Sequence, residues 1–199
     1  MGRRHEDHVF MPNRLVFPGG AIDAEDRRVK PASKLKPEVE KRLTQTLTQA
    51  RARSLAAAAI RETFEETGLF LAAPLKETPK NKLALWQAFY DQNLGPNLQA
   101  IDYFFRAVTP PGRVRRYDAR FFLVSSDHTQ GEIAGDGEII DIGWYDITKV
   151  QTDPNVHGIT AVVLSEAEAV LRDPELLHHR GARYSRHIHG KQVISVEGE

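Results

Sequence analysis

The 199-residue chain contains no cysteine. This absence excludes a disulfide framework, a thiolate zinc site and a cysteine nucleophile, so any metal ion would need oxygen or imidazole ligands. The chain also lacks an apolar run of the roughly 18 residues that a membrane-spanning helix needs, and its N-terminus has no apolar stretch typical of a signal peptide. We therefore expect a cytoplasmic protein with no membrane partner.

The chain has no surplus of charge of either sign, because 27 Lys and Arg residues balance 27 Asp and Glu residues. A protein held to nucleic acid by charge alone would carry a basic surplus, and a disordered chain would combine few hydrophobic residues with a large net charge. With 41% hydrophobic and 27% charged residues, the composition is typical of a globular protein. We expect a single domain over residues 1–199 and no nucleic-acid partner.

Helical and strand patterns are mixed along the chain without regular alternation, which favours an α+β fold. Between Pro37 and Gly68 there is neither Pro nor Gly, which predicts one long helix or two consecutive ones that end at a left-handed Gly68 cap. Three strand patterns and a further helix follow this segment, at 100–108, 116–125, 137–147 and 159–172.

Two later segments also carry predictions. In the third strand pattern, Ile140, Ile142 and Trp144 are expected to share one face of the sheet, because side chains alternate along a strand. The segment 175–199 has little apolar pattern, and we expect a tail or a partner surface there. It contains four histidines that a transition metal could use if some structure held them together: His178, His179, His187 and His189.

Three glutamates form an acidic cluster at the end of the first predicted helix. Glu62, Glu65 and Glu66 lie on one helix face because each residue turns the helix by about 100°. Like charges three and four residues apart are unfavourable, as are negative charges in the last helical turn. A bound divalent cation would reverse this balance, because hard cations prefer carboxylate ligands. The alternative is a solvated acidic face on which Arg61 pairs with Glu65.

The segments FPGG at 17–20 and RETFEETGL at 61–69 resemble the two halves of the Nudix box, GX5EX7REUXEEXGU. The resemblance implies an α/β/α sandwich with a mixed central sheet. It also implies a hydrolase that uses Mg²⁺ or Mn²⁺ to cleave a nucleoside diphosphate linked to another moiety X. The implied partner is therefore a small nucleotide-type diphosphate, and the identity of X stays open.

The resemblance also implies roles for individual residues. Glu65 and Glu66 correspond to metal ligands, and Glu62 to a carboxylate that binds a metal or acts as the general base. Arg61 corresponds to the arginine that orients the catalytic glutamate, and the Gly19 carbonyl to a further metal ligand.

Two departures from the family pattern stand out. Asp26 occupies the place of the first box glutamate, and the arginine expected at 34 is reached only at 61. The 27 additional residues form an insertion that we expect to be helical, at about 27–53. A similar interruption occurs in the branch that includes peroxisomal coenzyme A diphosphatase-like proteins. The chain also begins where the first strand of the family should be ending, so either that strand is supplied differently or it is missing; our hypothesis is that it is missing because the native chain starts upstream of Met1.

Further candidates lie outside the box. Family members often recruit another acid from a loop before a tryptophan-containing strand, and Glu138, six residues before Trp144, is the preferred residue here. Glu132 and Asp136 are its rivals, and a turn acid that faces water is the alternative. Arg120 and Arg116 are candidates to bind diphosphate oxygens, because guanidinium groups match phosphate geometry. For Arg116 the alternative is a solvated hairpin.

A second function stays open beside the hydrolase. A Nudix-fold module could retain the acids and bind or regulate through a nucleotide without hydrolysing it. A homodimer is a further expectation, because a missing first strand would leave a sheet edge that a second copy could cover.

Overall fold

The computed structural model describes residues 1–7, 12–80, 83–113, 115–156 and 158–197. Its α-helices are α1 Pro37–Leu43, α2 Gln49–Thr67, α3 Gln87–Asp91, α4 Ile147–Gln151, α5 Gly158–Arg172 and α6 Leu176–His179. Its strands are β1 Gly2–Arg4, β2 Leu15–Val16, β3 Phe70–Pro74, β4 Leu94–Pro96, β5 Asp102–Val108, β6 Asp118–Leu123, β7 Thr129–Gln130, β8 Ile139–Ile140, β9 Arg183–Ile188 and β10 Lys191–Val196. The mixture of helices and strands confirms the α+β class. None of the helices in these residues has the length and hydrophobicity that a membrane-spanning helix needs.

The chain divides into two compact units. The first contains Met1–Ile101 and Val124–Asp146, and the second contains Asp102–Leu123 and the chain from Ile147 onward. Two compact units can belong to one domain, so the single domain expected over residues 1–199 stays a prediction.

Helix α2 is the central element of the first unit. The Thr48 side chain caps its first turn by accepting a hydrogen bond from the Arg51 amide. Ile60 is fully buried, and four of the helix's alanines are at most 2% exposed, so neighbouring elements can approach that face closely: Ala52, Ala56, Ala57 and Ala58. Gly68 ends α2 in the predicted left-handed conformation, with φ of 75°.

Two antiparallel sheets complete the first unit, with strand orders β2-β1-β8 and β4-β3-β7. In the first sheet, β1 pairs with both neighbours, so that Gly2 is opposite Val16 and Arg3 is opposite Ile140. A strand therefore does precede the Pro18–Gly20 turn, although it is only three residues long. The expectation of a missing first strand is corrected by this pairing.

The insertion is packed into the first unit. Its helix α1 buries Val39 and Leu43 completely. The segment before α1 is hydrogen-bonded to the chain at β4. The Ala32 amide donates to the Pro96 carbonyl at 3.0 Å, and the Ser33 hydroxyl donates to Asn97 Oδ1 at 2.7 Å. The inserted residues therefore extend the core of this unit.

The strand predicted at 137–147 is wrong in length and in register. Only Ile139–Ile140 pair as a strand, and Ile139 is the buried residue, whereas Trp144 is 71% exposed. Asp141 has φ of 51°, which takes the chain out of the extended conformation directly after β8. A shift of one residue moves side chains to the opposite face, and this explains why the expected apolar face points outward.

The second unit contains a mixed sheet with strand order β10-β9-β5-β6. Strands β5 and β9 are parallel, and the other pairs are antiparallel. Helix α5 buries the face that its sequence spacing predicts, with Val163, Ala167 and Val170 all less than 10% exposed.

The expected tail at 175–199 is instead folded over most of its length. It forms α6 and then the hairpin of β9 and β10, whose strands pair over six residues each. Backbone pairing to β5 fixes this hairpin, which is why a weak apolar pattern did not reveal it. His178 and His179 lie on α6 and His187 on β9. Residues 198–199 lie outside the described part of the chain.

Candidate active site

The candidate site lies in the first unit, at the C-terminal end of α2. Three segments meet that end of the helix: the glycine turn after β2, a 3-10 helix at Glu25–Arg27, and the loop at 131–138. Each of them contributes a carboxylate or a backbone group, as the following contacts show.

Arg61 is the buried centre of the site, with a side chain only 5% exposed. Its Nε donates to Asp26 Oδ1 at 2.9 Å, and its Nη1 donates to Glu65 Oε2 at 2.5 Å. Its Nη2 lies 2.8 Å from Glu62 Oε1 and donates to the Ala21 carbonyl at 2.9 Å. Burial alone would lower the pKa of Arg61, but the hydrogen bonds and charge of Asp26, with the charges of Glu62 and Glu65, raise it above its ordinary value.

Glu62 packs against the glycine turn. A Cβ atom on Gly20 would lie 2.5 Å from the Glu62 carboxylate, so any other residue here would force the Glu62 side chain to move. Burial raises the pKa of Glu62 above its ordinary value, and the neighbouring Arg61 opposes that effect. The carboxylate is still 16% exposed and can therefore meet solvent or a ligand.

Glu66 is held by the backbone of the same turn. Its Oε2 accepts a hydrogen bond from the Gly19 amide at 2.7 Å, and the residue is only 5% exposed. Burial, together with the charges of Glu138, Glu62 and Asp136, raises the pKa of Glu66 to about 7 against the opposing Gly19 hydrogen bond. The amide of Gly19 is thus the group seen at the site, and the role of its carbonyl stays a prediction.

Glycines bring the loop at 131–138 against the end of α2. The Ala134 amide donates to the Thr67 carbonyl at 2.9 Å. A Cβ atom on Gly68 would lie 2.6 Å from the Ala134 carbonyl oxygen, and one on Gly135 would lie 2.7 Å from the Glu66 carbonyl oxygen. Such close backbone approach needs glycine at both positions, and it places the acids of this loop beside Glu66.

The loop acids contribute unequally to the site. Glu138 raises the pKa of Glu66 more than Asp136 does, which supports Glu138 as the preferred fourth carboxylate. Asp136 also fixes the turn, because its Oδ1 accepts a hydrogen bond from the Glu138 amide at 2.9 Å. Glu132 instead lies where its carbonyl faces Gly68.

The two arginines predicted to bind substrate lie in the second unit. Arg120 has a side chain only 5% exposed, and its Nη1 lies 3.2 Å from Asp118 Oδ1. Arg116 is exposed, and its Nε donates to the Thr109 carbonyl at 3.4 Å. The contacts seen for both are made within their own unit, and their part in substrate binding stays a prediction.

Asp26 is the site residue whose partner the sequence did not predict. It is fully buried and binds Arg61 through both carboxylate oxygens, at 2.9 and 3.1 Å. The signal for this partnership was its position at the first acidic place of the box, although the insertion separates it from Arg61.

The donor chemistry of the site fits a divalent cation. Carboxylate oxygens of Glu62, Glu65 and Glu66 are hard ligands, and the Gly20 backbone lies close against the Glu62 carboxylate. Among the described residues, however, no three Asp, Glu or His side chains are already grouped at metal-binding geometry. The contacts explain this, since Glu62 and Glu65 turn toward Arg61 and Glu66 turns toward Gly19.

Comparison with solved structures identifies the architecture. A crystal structure of a NUDIX hydrolase from Alicyclobacillus acidocaldarius matches the chain with a TM-score of 0.60 over 86% of each chain, at 24% sequence identity. The chain has the Nudix fold. The family resemblance of its interrupted box is confirmed at this level, although no family model matches the chain.

A curated relative points the same way. The chain is 24% identical over 207 residues to acyl-coenzyme A diphosphatase NUDT19 of Xenopus laevis. The match covers 79% of the chain but only 54% of that relative, so the chain spans about half the length of the protein that it matches.

Proposed function

We propose that the chain is a Mg²⁺- or Mn²⁺-dependent hydrolase of a diphosphate linkage in a nucleoside diphosphate linked to a moiety X. The observation that carries the proposal is the position of Glu62, Glu65 and Glu66 at one end of α2, in contact with Arg61 and with the Gly19 amide of the glycine turn. Acids grouped at a helix C-terminus are unfavourable on their own, and a divalent cation would offset their repulsion.

The side chains of the site can take different roles in such a reaction. Glu65 and Glu66, with Glu62 or Glu138, would hold the cation, which supplies charge neutralisation for the diphosphate and acidifies a water molecule. Glu62 is suited to accept the proton of the attacking water, because burial raises its pKa while part of its carboxylate stays exposed. Arg61 would orient Glu62 through their 2.8 Å ion pair whenever that carboxylate is not bound to the cation, which is the condition in which Glu62 can act as the base.

The substrate class is proposed more narrowly from the relative. The name of the Xenopus protein is that of an acyl-coenzyme A diphosphatase. Coenzyme A contains a diphosphate linked to a nucleoside, so acyl-coenzyme A belongs in any first panel of substrates beside ADP-ribose, NADH and dinucleoside polyphosphates.

The test is a substrate panel with Mg²⁺ or Mn²⁺, in which phosphate-containing products are separated and identified. We expect at least one diphosphate to be cleaved only in the presence of the cation, and the Glu65→Gln and Glu66→Gln variants to lose that turnover. If both variants hydrolyse every active substrate as fast as the wild type, the site is misassigned. If the wild type binds a nucleotide but releases no product with either cation, the chain is a binding module.

A further inference from the structure

Asp26 is a completely buried carboxylate whose two oxygens are both in use. Oδ1 accepts the 2.9 Å hydrogen bond from Arg61 Nε, and Oδ2 accepts bonds from Arg61 Nη2 at 3.1 Å and from the Asp23 amide at 2.7 Å. A buried carboxylate is tolerated only with such partners, and a two-pronged contact fixes the orientation of the guanidinium as well as its position.

Arg61 divides its donors between two kinds of partner. One edge faces Asp26 and the Ala21 carbonyl, neither of which is a predicted ligand of the cation. The remaining contacts are to Glu65 and Glu62, which are predicted ligands. The guanidinium and a divalent cation would therefore compete for the same two carboxylates.

The burial of these groups shows which of them can move. The side chains of Glu62 and Glu65 are 16% and 28% exposed, whereas that of Arg61 is 5% exposed and lies beneath them. A glutamate can rotate toward solvent about its own torsions. Arg61 cannot follow it without breaking the buried contact with Asp26.

We propose that Asp26 is a positioning residue that holds Arg61 below the site, so that Glu62 and Glu65 can exchange the guanidinium for a divalent cation. This inference rests on the proposed function in one respect, that these glutamates face a cation. Without the charge of Asp26, the guanidinium of Arg61 would hold its other carboxylate partners, Glu62 and Glu65, more strongly against the cation.

The insertion is compatible with this role. Asp26 and Arg61 are 35 positions apart, yet they share a direct bond. Arg53 lies on α2 about two turns before Arg61. Its Nη2 donates to the Arg27 carbonyl at 2.9 Å, which connects the segment after Asp26 to the same helix. The two ends of the inserted segment are therefore in contact with each other. This contact keeps the two halves of the interrupted box together in the fold.

The test measures the dissociation constant of Mn²⁺ alone by titration calorimetry on the full chain, without substrate. We expect Asp26→Asn to raise that constant about tenfold, which corresponds to about 1.4 kcal/mol. The control is Glu25→Gln, which removes one negative charge from the same turn. The Glu25 carboxylate is engaged instead by hydrogen bonds from the Ala84 and Leu85 amides, so the constant should stay within about threefold of the wild type.

A double variant decides whether Asp26 acts through Arg61. Asp26→Asn with Arg61→Gln removes one charge of each sign and the competing guanidinium, so we expect Mn²⁺ affinity within about threefold of the wild type. A structural role alone would lower the melting temperature of Asp26→Asn without changing its affinity.

The outcomes separate the alternatives. Equal affinities for Asp26→Asn and Glu25→Gln would overturn the proposal, as would a double variant that stays as weak as Asp26→Asn. If Asp26→Asn does not fold, the double variant decides alone, since wild-type affinity supports the proposal and a tenfold loss overturns it. If the wild type binds no Mn²⁺, the proposed function fails and this inference fails with it.

Discussion

Each unit of the chain contains one arginine that gathers carboxylates, and the two clusters differ in their balance of charge. The Arg61 cluster of the first unit has one arginine for four acids: Arg61, Asp26, Glu62, Glu65 and Glu66. The Arg106 cluster of the second unit has two arginines, two acids and a tyrosine: Arg106, Arg120, Asp118, Glu197 and Tyr103.

The pKa shifts of the acids follow this balance. Burial raises the pKa of Glu66 to about 7, because only a backbone amide opposes it and other acids add to it. Burial acts in the same direction on Asp118, but the hydrogen bonds of Arg106 and the charge of Arg120 lower its pKa below the ordinary value. Buried acids alone therefore do not indicate a cation-binding site. An excess of acids over bases in the cluster is what favours a bound cation.

Removal of the proposed base should have the largest effect. We expect Glu62→Gln to lower kcat by about a thousandfold, since an amide cannot accept the proton of the attacking water. Asp118→Asn in the Arg106 cluster should leave kcat within about threefold. Steady-state kinetics on the best substrate of the panel checks both, and a thousandfold loss in Asp118→Asn would break the distinction between the two clusters.

For the Arg106 cluster we expect substitutions to affect the free energy of unfolding rather than catalysis. Glu197 accepts hydrogen bonds from Arg106 at 2.7 Å and from the Tyr103 hydroxyl at 2.5 Å. We expect Glu197→Gln to lower the free energy of unfolding by about 2 kcal/mol, because a buried charged acceptor becomes neutral. Urea unfolding measures this loss. Mn²⁺ affinity should not change, and a change would mean that the Arg106 cluster takes part in cation binding.

Local chemistry allowed much of the fold and site to be predicted. Helix α2 and its Gly68 end followed from composition and from the conformational freedom of glycine. The acidic face of Glu62, Glu65 and Glu66 followed from helical periodicity, and the structure places all three at one helix end. Such features depend on residues within a few turns of one another, which a sequence displays directly.

Features fixed by distant partners could not be predicted in this way. The bond between Asp26 and Arg61 spans an insertion, and the hairpin of β9 and β10 is defined by pairing with β5. The face of β8 was predicted wrongly because Asp141 ends the strand after two residues, whereas the apolar alternation continues to Trp144. Long-range pairing overrides a local pattern in each of these places.

The two clusters should give the stability opposite slopes with pH. The pKa of Glu66 is about 7 in the folded chain, whereas the ordinary value for a glutamate is 4.5. Its contribution is therefore full below about pH 4.5 and is lost as the pH rises through about 7, by about 3 kcal/mol at most. Asp118 has a lowered pKa, so its contribution is lost as the pH falls.

Glu66→Gln isolates the first of these slopes. In urea unfolding with a chelator present, the variant should be more stable than the wild type at pH 7.5, and the two should converge near pH 4.5. Asp118→Asn is the control, because it should leave the loss between pH 4.5 and 7 intact. A wild type whose stability is flat over that interval would show that Glu66 is not perturbed.

The smallest effect on turnover is expected from substitution of the loop acids. It tests whether Glu138 belongs to the Arg61 cluster. Glu138 acts on Glu66, whereas Glu132 meets Gly68 only through its backbone carbonyl. We expect Glu138→Gln to lower the turnover at limiting Mg²⁺ about tenfold and Glu132→Gln to leave it unchanged, because only the first removes a charge beside the proposed cation. Saturating Mg²⁺ should restore part of the loss, since a weakened ligand set lowers affinity before it lowers kcat. Equal losses in the two variants would assign the effect to the general charge of the loop, and the cluster would then end at Glu66.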